Sequence, residues 1–324
     1  MAGNRRTGGG PTRGRTLDLS VALGALELAN PIVAASGTFG HGDEVAGVCD
    51  PSRLGAVTAK SQASFAWAGN PPPRLHPAAA GMVNAVGLQG HGIEHWLVHD
   101  LPGLRARGAR VIASIWGHTV DDYRAAAEML APAAAAVVAV ELNLSCPNTR
   151  HGSEIFAHDA AATAEVVRSV AATDLGLPLF AKLSAGTADL PRISGAALEA
   201  GATGLTLVNT VRALLVDAEA RRSVLGSSGG GLSGPAIKPI ALRAVHDVTR
   251  AHPGTPVIGT GGVTSGVDAV EMLLAGATAV GVGTATFLEP RATLRIVDEL
   301  TTWCAKHGVL RASELTGALR WDQP

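Results

Sequence analysis

The apolar residues of the chain fall into eight short runs, each with a small or polar residue at or near its end. Short runs of apolar and β-branched residues predict strands that are covered on both faces, as in a parallel sheet. The predicted strands span residues 31–36, 55–60, 110–116, 137–143, 177–183, 203–209, 255–262 and 278–284.

Alanine-rich segments with helical spacing lie between most of these strands, at 119–133, 159–174, 193–202, 238–251 and 266–277. Repeated alternation of strand and helix predicts an α/β fold of the (β/α)8 TIM barrel type. A doubly wound sheet is the alternative, but the sequence has no Rossmann fingerprint to favour it. No linker interrupts the repeats, so we expect a single barrel domain at 16–324 after a flexible basic tail at 1–15.

The predicted strands end in small, polar or cationic residues. Active sites of this fold lie at the carboxyl ends of the strands, so these residues should meet at one mouth. They are Ser36, Lys60, Ser114, Asn143, Lys182, Asn209, Gly261, Gly262, Gly283 and Thr284. A buried lysine usually has a partner, so Lys60 and Lys182 suggest an anionic ligand; the alternative is that each extends to bulk water.

Two glycine-rich segments, 259–266 and 281–286, follow the last two strands, where barrels bind phosphate through backbone N–H groups. Neither segment matches GxGxxG and the chain has no Walker motif, which disfavours a nucleotide site of either type. Simple turn glycines are the alternative interpretation. A third segment, 226–239, is either a flexible linker or a mobile or phosphate-contacting element that leads into a helix.

The three cysteines, Cys49, Cys146 and Cys304, lie far apart and lack CxxC spacing, which argues against disulfides and a zinc ribbon. We expect Cys49 and Cys304 to be inert and buried. Cys146 differs because it lies in "ELNLSCPN", at the end of a strand and among polar side chains. As a nucleophile or a general base it would act as the thiolate. "HGIEH" at 91–95 matches an inverted zinc-peptidase pattern, but an exposed helix face is the favoured interpretation.

Composition narrows the class of function. The 324 residues are 47% apolar and 16% charged, with a net charge of -1 at pH 7, so a nucleic-acid or membrane-surface partner is not expected. The apolar segment 17–29 follows a basic stretch, as in a signal peptide, but Asp18 and Glu27 interrupt it. We therefore expect no membrane span and a location in the reducing cytoplasm.

Several segments together resemble dihydroorotate dehydrogenase, the FMN-containing (β/α)8 enzyme of pyrimidine biosynthesis. Their order and spacing match the family from Leu17 to Pro290, and the combination is far more specific than any one segment. The segments are "NPIVAASGTFGHGDE", "TAKS", "GNPPPR", "MVNAVGLQG", "ELNLSCPN", "AKLS", "LTLVNT", "GGLSGPAIKPIALR" and "GTGGVTSGVDAVEMLLAGATAVGVGTATF".

The resemblance implies an FMN site. The positions that match FMN contacts are Ser36, Lys60, Ser61, Asn143, Lys182 and Val208, and those that match the flavin and phosphate loops are Ser233, Gly234, Gly261, Gly262, Gly283 and Thr284. Ser114 is a further predicted FMN contact, although it stands where the family usually has an asparagine at the flavin.

The resemblance also implies a substrate pocket and a catalytic base. The orotate pocket corresponds to Asn84, Ala85, Val86, Gly87, Leu88, Asn143, Asn148, Asn209 and Thr210, with Lys60 meeting the carboxylate. Cys146 matches the base of the soluble class 1 enzymes, which removes the C5 proton of (S)-dihydroorotate while a hydride passes from C6 to N5 of FMN. The membrane-bound class uses serine and an N-terminal extension; this sequence has cysteine, and we see no such extension.

The motifs most resemble the NAD-linked 1B catalytic subunit, which works with a separate FAD and iron–sulfur subunit. We also expect a homodimer. Departures from the family at Ser114, 156–159, 185–186 and 211–217 leave the electron acceptor, the rate and the substrate open. The alternatives are a related flavin enzyme for another cyclic amide or enone, and a catalytically idle flavin-binding subunit.

Overall fold

The structure, a computed structural model, describes residues 17–145 and 156–321, so the predicted tail at 1–15 lies outside the described residues. Eight parallel strands form a closed barrel in which each strand pairs with its neighbours in sequence and the last pairs with the first. This confirms the predicted barrel and every predicted strand. The strands are β1 (Ile32–Ala34), β2 (Ala56–Thr58), β3 (Val111–Ile115), β4 (Ala139–Asn143), β5 (Leu179–Leu183), β6 (Gly204–Leu207), β7 (Val257–Thr260) and β8 (Ala279–Val282).

The barrel interior is apolar near the amino ends of the strands, which we call the lower end of the barrel. Alternate residues of a strand face opposite sides, and those that face inward near the amino ends of the strands form one buried cluster. A hairpin of Val21–Leu23 and Leu26–Leu28 packs into the same cluster and closes this end of the barrel. The segment that resembled a signal peptide therefore contributes to the core.

The second and larger core lies between the barrel and the surrounding helices. The predicted helices are confirmed, and polar caps define where several of them begin: Thr119 and Ser265 form capping boxes, and Asp159 and Asp189 accept a first-turn N–H. The helices are α1 (Ile93–His95), α2 (Leu101–Ala106), α3 (Val120–Leu130), α4 (Ala160–Ala171), α5 (Leu190–Glu199), α6 (Lys238–Ala251), α7 (Gly266–Leu274), α8 (Ala285–Leu288) and α9 (Ala292–His307).

Shorter turns complete the helical layer. A π-helical turn, Trp96–Asp100, joins α1 to α2, and the 3₁₀ turns are Pro51–Arg53, Ala131–Ala136, Phe156–His158, Pro235–Ile237 and Ala312–Leu315. None of the helices in the described ranges is long and apolar enough to cross a membrane.

An antiparallel sheet lies beside the mouth of the barrel, and the sequence did not predict it. Its strands, in spatial order, are Val211–Ala213, Gly230–Ser233, Gly81–Asn84 and Leu75–Ala78. We call it the mouth sheet. Segment 226–239 is therefore not a linker, because it contributes one strand of this sheet and then continues through a 3₁₀ turn into α6. A separate pair of short strands, Val216–Asp217 and Arg222–Ser223, follows the first strand of the sheet.

Candidate functional site

A cavity opens at the carboxyl ends of the barrel strands. Its walls come from seven of the eight barrel strands or the residues that directly follow them, and from the mouth sheet. The volume that the centre of a water molecule can reach is about 150 Å³. Strand ends and the mouth sheet therefore enclose one polar pocket, as the barrel fold predicts.

Amide side chains occupy the end of the cavity next to β4. Asn143 donates from Nδ2 to the Ser61 hydroxyl at 3.0 Å and accepts at Oδ1 from Asn209 at 3.2 Å. Asn209 also donates to the Ser145 hydroxyl at 3.0 Å. The buried Tyr123 hydroxyl holds the Asn143 carbonyl at 2.7 Å. Because both ends of the Asn143 amide have partners, its orientation is set before any ligand arrives.

Glycines form the opposite wall of the cavity. Gly234 and Gly262 have positive φ angles of 89° and 73°, a conformation that side chains rarely adopt. A Cβ atom at Gly262 would lie 2.6 Å from the Cβ atom of Lys238. Gly261 and Gly283 line the same wall. This surface therefore exposes backbone groups, which can bind a phosphate through their N–H donors.

Hydrogen bonds to a charged residue stabilise the loop that forms part of this glycine wall. The Asp268 carboxylate accepts hydrogen bonds from Lys238, from the Thr264 hydroxyl and from the backbone N–H groups of Thr264 and Ser265. Burial by itself would raise the pKa of Asp268, but the hydrogen bonds, first those from Lys238 and Thr264, outweigh it and lower the pKa to about 2. The loop after β7 is thus tied to both α6 and α7.

Two lysines line the cavity, as their positions in the sequence suggested. Lys182 is almost fully buried, and its ammonium lies 3.6 Å from the carboxylate of Glu141, whose side chain is 2% exposed. The alternative, in which Lys182 extends to bulk water, is therefore wrong. Lys60, two residues after β2, also lines the cavity.

The structure brings together most of the residues that the sequence singled out. Those that line the cavity are Ser36, Lys60, Ser61, Asn84, Val86, Gly87, Leu88, Asn143, Lys182, Val208, Asn209, Thr210, Ser233, Gly234, Gly261, Gly262, Gly283 and Thr284. Ala85 and Ser114 are buried outside the lining. Ser114 lies within β3 rather than at its end, and its hydroxyl contacts Ser61 at 2.8 Å. Cys146 and Asn148 lie outside the described residues.

The remaining candidates behave as simple structural residues. Cys49 and Cys304 are buried, as predicted, and burial raises the pKa of both thiols. His91 and His95 are exposed, and no group of three or more potential metal ligands occurs within residues 17–145 and 156–321. The exposure of both side chains agrees with the favoured interpretation of "HGIEH", but His91 lies before α1 and only His95 belongs to the helix.

Residues 18–303 match a family model described as dihydroorotate dehydrogenase. The chain belongs to the dihydroorotate dehydrogenase family. Members of this family are flavoproteins with a TIM barrel fold, in agreement with the closed barrel described above.

Sequence similarity to known relatives extends along nearly the whole chain. The catalytic subunit of dihydroorotate dehydrogenase B (NAD(+)) from Geotalea daltonii is 43% identical over 94% of this chain and 98% of its own length. The corresponding subunit from Geobacter sulfurreducens is 42% identical over 93% and 98%. A putative dihydroorotate dehydrogenase A (fumarate) from Solibacter usitatus is 43% identical over 94% and 100%.

Three features of this dihydroorotate dehydrogenase fold were missed by sequence reasoning. Thr260 lines the cavity, and its buried hydroxyl has no hydrogen-bond partner among the described residues; its place before "GG" was a signal that could have been used. Leu75 and Met82 line the rim because of the mouth sheet, which was not predicted. Glu141 is the first residue of "ELNLSCPN", but a single carboxylate within an apolar strand does not by itself predict a partner.

Proposed function

We propose that this protein binds FMN in the cavity and oxidises (S)-dihydroorotate to orotate in de novo pyrimidine biosynthesis. The observation that carries the proposal is the convergence of an amide cluster, two lysines and a glycine wall in a single pocket of this family's barrel. The amide cluster, the lysines and the glycine wall each match a different part of FMN or dihydroorotate.

The residues present fit a flavin mononucleotide. The backbone wall at Gly234, Gly261, Gly262 and Gly283 suits a phosphate. The Thr260 hydroxyl, which has no hydrogen-bond partner within residues 17–145 and 156–321, provides a further group for a ligand. Residues proposed to hold the flavin ring are Ser36, Lys60, Ser61, Asn143, Lys182 and Val208, and those proposed for the phosphate end also include Ser233 and Thr284. Bound FMN supplies the hydride acceptor, and a cation near the ring, such as Lys182, favours the negative charge of the reduced form.

The amide cluster fits the substrate. Dihydroorotate is a cyclic amide with a carboxylate, and each asparagine offers both a donor and an acceptor to such a ring. We assign this role to Asn84, Asn143 and Asn209, together with Asn148, and assign the carboxylate to Lys60. The preset orientation of the Asn143 amide supports this assignment, because a fixed pattern of donors and acceptors selects one ring edge.

Cys146 is proposed as the general base that takes the proton from C5. Ser145, the last described residue before it, accepts a hydrogen bond from Asn209, which lines the cavity. A thiolate within reach of C5 would remove a proton that an adjacent carbonyl acidifies. General-base residues of this kind typically contribute about 10²–10⁴-fold to the rate.

The electron acceptor is proposed to be NAD, reached through a separate FAD and iron–sulfur subunit. The relatives named as B-type catalytic subunits support this proposal, and the relative named as a fumarate enzyme is the competing candidate. The chain has only three cysteines, which cannot supply the four thiolates that a [4Fe–4S] cluster needs. A homodimer and a cytoplasmic location remain expectations, the first of which sedimentation of the purified protein tests.

The function is tested by supplying the purified protein with FMN and titrating it with orotate. We expect stoichiometric FMN and a perturbed flavin spectrum that saturates with orotate. Steady-state assays with dihydroorotate should then show turnover with a flavin-reducible dye but little with fumarate or NAD alone. Failure to take up FMN, or flavin reduction by another cyclic amide but not by dihydroorotate, would contradict the proposal.

A further inference from the structure

Glu141 is a buried carboxylate behind the wall of the cavity. It belongs to β4, two residues before Asn143, and its side chain is 2% exposed. It does not line the cavity, whereas its partner Lys182 does. A buried carboxylate is costly unless charge and hydrogen bonds compensate it, so its position requires an explanation.

Hydrogen bonds connect Glu141 to the rest of the site. The Ser114 hydroxyl donates to Oε1 of Glu141 at 3.1 Å and contacts the Ser61 hydroxyl at 2.8 Å. Ser61 in turn contacts the Ser36 hydroxyl at 3.3 Å and accepts from Asn143 at 3.0 Å. A continuous polar chain therefore runs from Glu141 to three side chains that line the cavity.

Glu141 interacts with Lys182 through charge rather than through a hydrogen bond. At 3.6 Å the ammonium and Oε1 are close enough for strong Coulomb attraction, but too far apart for a good hydrogen bond. Glu141 therefore offsets the charge of Lys182 without engaging its N–H donors, which stay available to a ligand in the cavity. Such an arrangement limits how much positive charge the cavity experiences.

We propose that Glu141 is a positioning residue that holds the Lys182 ammonium at the cavity wall and offsets its charge, and so sets the reduction potential of the bound flavin. The proposal rests on the proposed function. Since Lys182 favours negative charge on the reduced ring, removal of the opposing carboxylate should favour the reduced form further. Ser114, which stands between Glu141 and Ser61, acts in the same chain by fixing the direction of the carboxylate.

The test is the midpoint potential of the bound flavin in a cycle of four proteins: wild type, Glu141→Gln, Lys182→Gln and the double variant. We expect Glu141→Gln to favour the reduced flavin about tenfold, which is about 30 mV upward for a two-electron couple. Lys182→Gln should shift the potential downward, and the double variant should lie between the two single variants. Glu199→Gln, which removes an exposed carboxylate from α5, is the matched control and should leave the potential unchanged.

The outcomes separate the inference from the function on which it rests. If the wild-type protein takes up no FMN, the proposed function fails and the inference fails with it. If the wild type binds FMN and dihydroorotate reduces it, but Glu141→Gln leaves the potential unchanged or lowers it, the inference alone is wrong. If Glu141→Gln does not fold, the test uses the double variant instead, because the double variant has no unpaired buried charge. Its potential must then lie above that of Lys182→Gln, and an equal or lower value overturns the proposal.

Discussion

At the scale of single residues, two of the three cysteines lie in the buried core. Cys49 and Cys304 are fully buried, Cys49 next to the Thr293 hydroxyl at 3.1 Å. Burial raises the pKa of both thiols, so the reactive thiolate is scarce at neutral pH. Cys146 is the proposed base and therefore has to be accessible to the substrate. The rate at which each thiol is alkylated compares the three cysteines directly.

We expect an alkylating reagent at neutral pH to modify only Cys146 in the native protein and all three cysteines in denaturant. Because their raised pKa values keep Cys49 and Cys304 protonated as well as buried, their modification should require unfolding. Intact-mass measurement with time gives the count, and Cys146→Ala should take no native label. Modification of Cys49 or Cys304 as fast as Cys146 would contradict this.

At the scale of elements, the loop after β7 gets its shape from the beginning of α7. Asp268 lies in the capping box of α7, accepts N–H groups from the loop and pairs with Lys238 at the start of α6. The glycine wall of the cavity therefore depends on one carboxylate that does not line it.

We expect Asp268→Asn to lower the free energy of unfolding by about 2 kcal/mol at neutral pH, the value that a pKa lowered from 3.8 to about 2 implies. Because the pKa is lower in the folded state, this contribution is fully present above pH 3.8 and is lost as the pH falls toward 2. Urea unfolding of both proteins at several pH values measures it.

The control for this prediction is Asp247→Asn, which breaks an exposed pair with Arg243 on α6. Exposed pairs contribute about 0–1 kcal/mol, so this variant should remain close to wild type. A loss for Asp268→Asn that is no larger than this, or that does not shrink at low pH, would contradict the role given to Asp268.

The strands also show how much of the structure could be predicted from the sequence. Barrel strands were predictable because burial on both faces leaves an uninterrupted apolar run, as in residues 279–282. The mouth sheet was not, since a strand such as Leu75–Ala78 is largely exposed, contains a proline and is too short to show a period. Half of the predicted residues that line the cavity followed from strand ends and the other half from the family resemblance. The pairing of Glu141 could not be predicted, because its partner belongs to the next strand and only the barrel brings the two together.

At the scale of the whole molecule, the two ends of the barrel have different tasks. The lower end is closed by apolar side chains from the hairpin at 21–28 and from Ala312, whose N–H donates to the carbonyl of Asp18. The upper end holds the polar cavity. Stability and ligand binding should therefore respond to different substitutions.

Leu23→Ala should separate these two properties. Leu23 is fully buried in the lower cluster, so we expect a loss of about 2–5 kcal/mol in the free energy of unfolding. The dissociation constants for FMN and orotate, measured where the variant is still folded, should not change. Val98→Ala, at an exposed helical position, should cost less than about 0.5 kcal/mol. Weaker orotate binding in folded Leu23→Ala would show that the two ends are coupled.

The central claim is that the cavity oxidises dihydroorotate with Cys146 as the base. Its most direct test is anaerobic rapid mixing of the FMN-loaded protein with dihydroorotate while flavin absorbance is recorded, with Cys304→Ala as the matched control. We predict that the flavin of the wild type and of Cys304→Ala is reduced at similar rates, whereas Cys146→Ala retains FMN and is reduced about 10²–10⁴-fold more slowly. A wild-type flavin that dihydroorotate does not reduce, or a Cys146→Ala variant that is reduced as fast as wild type, would contradict the account.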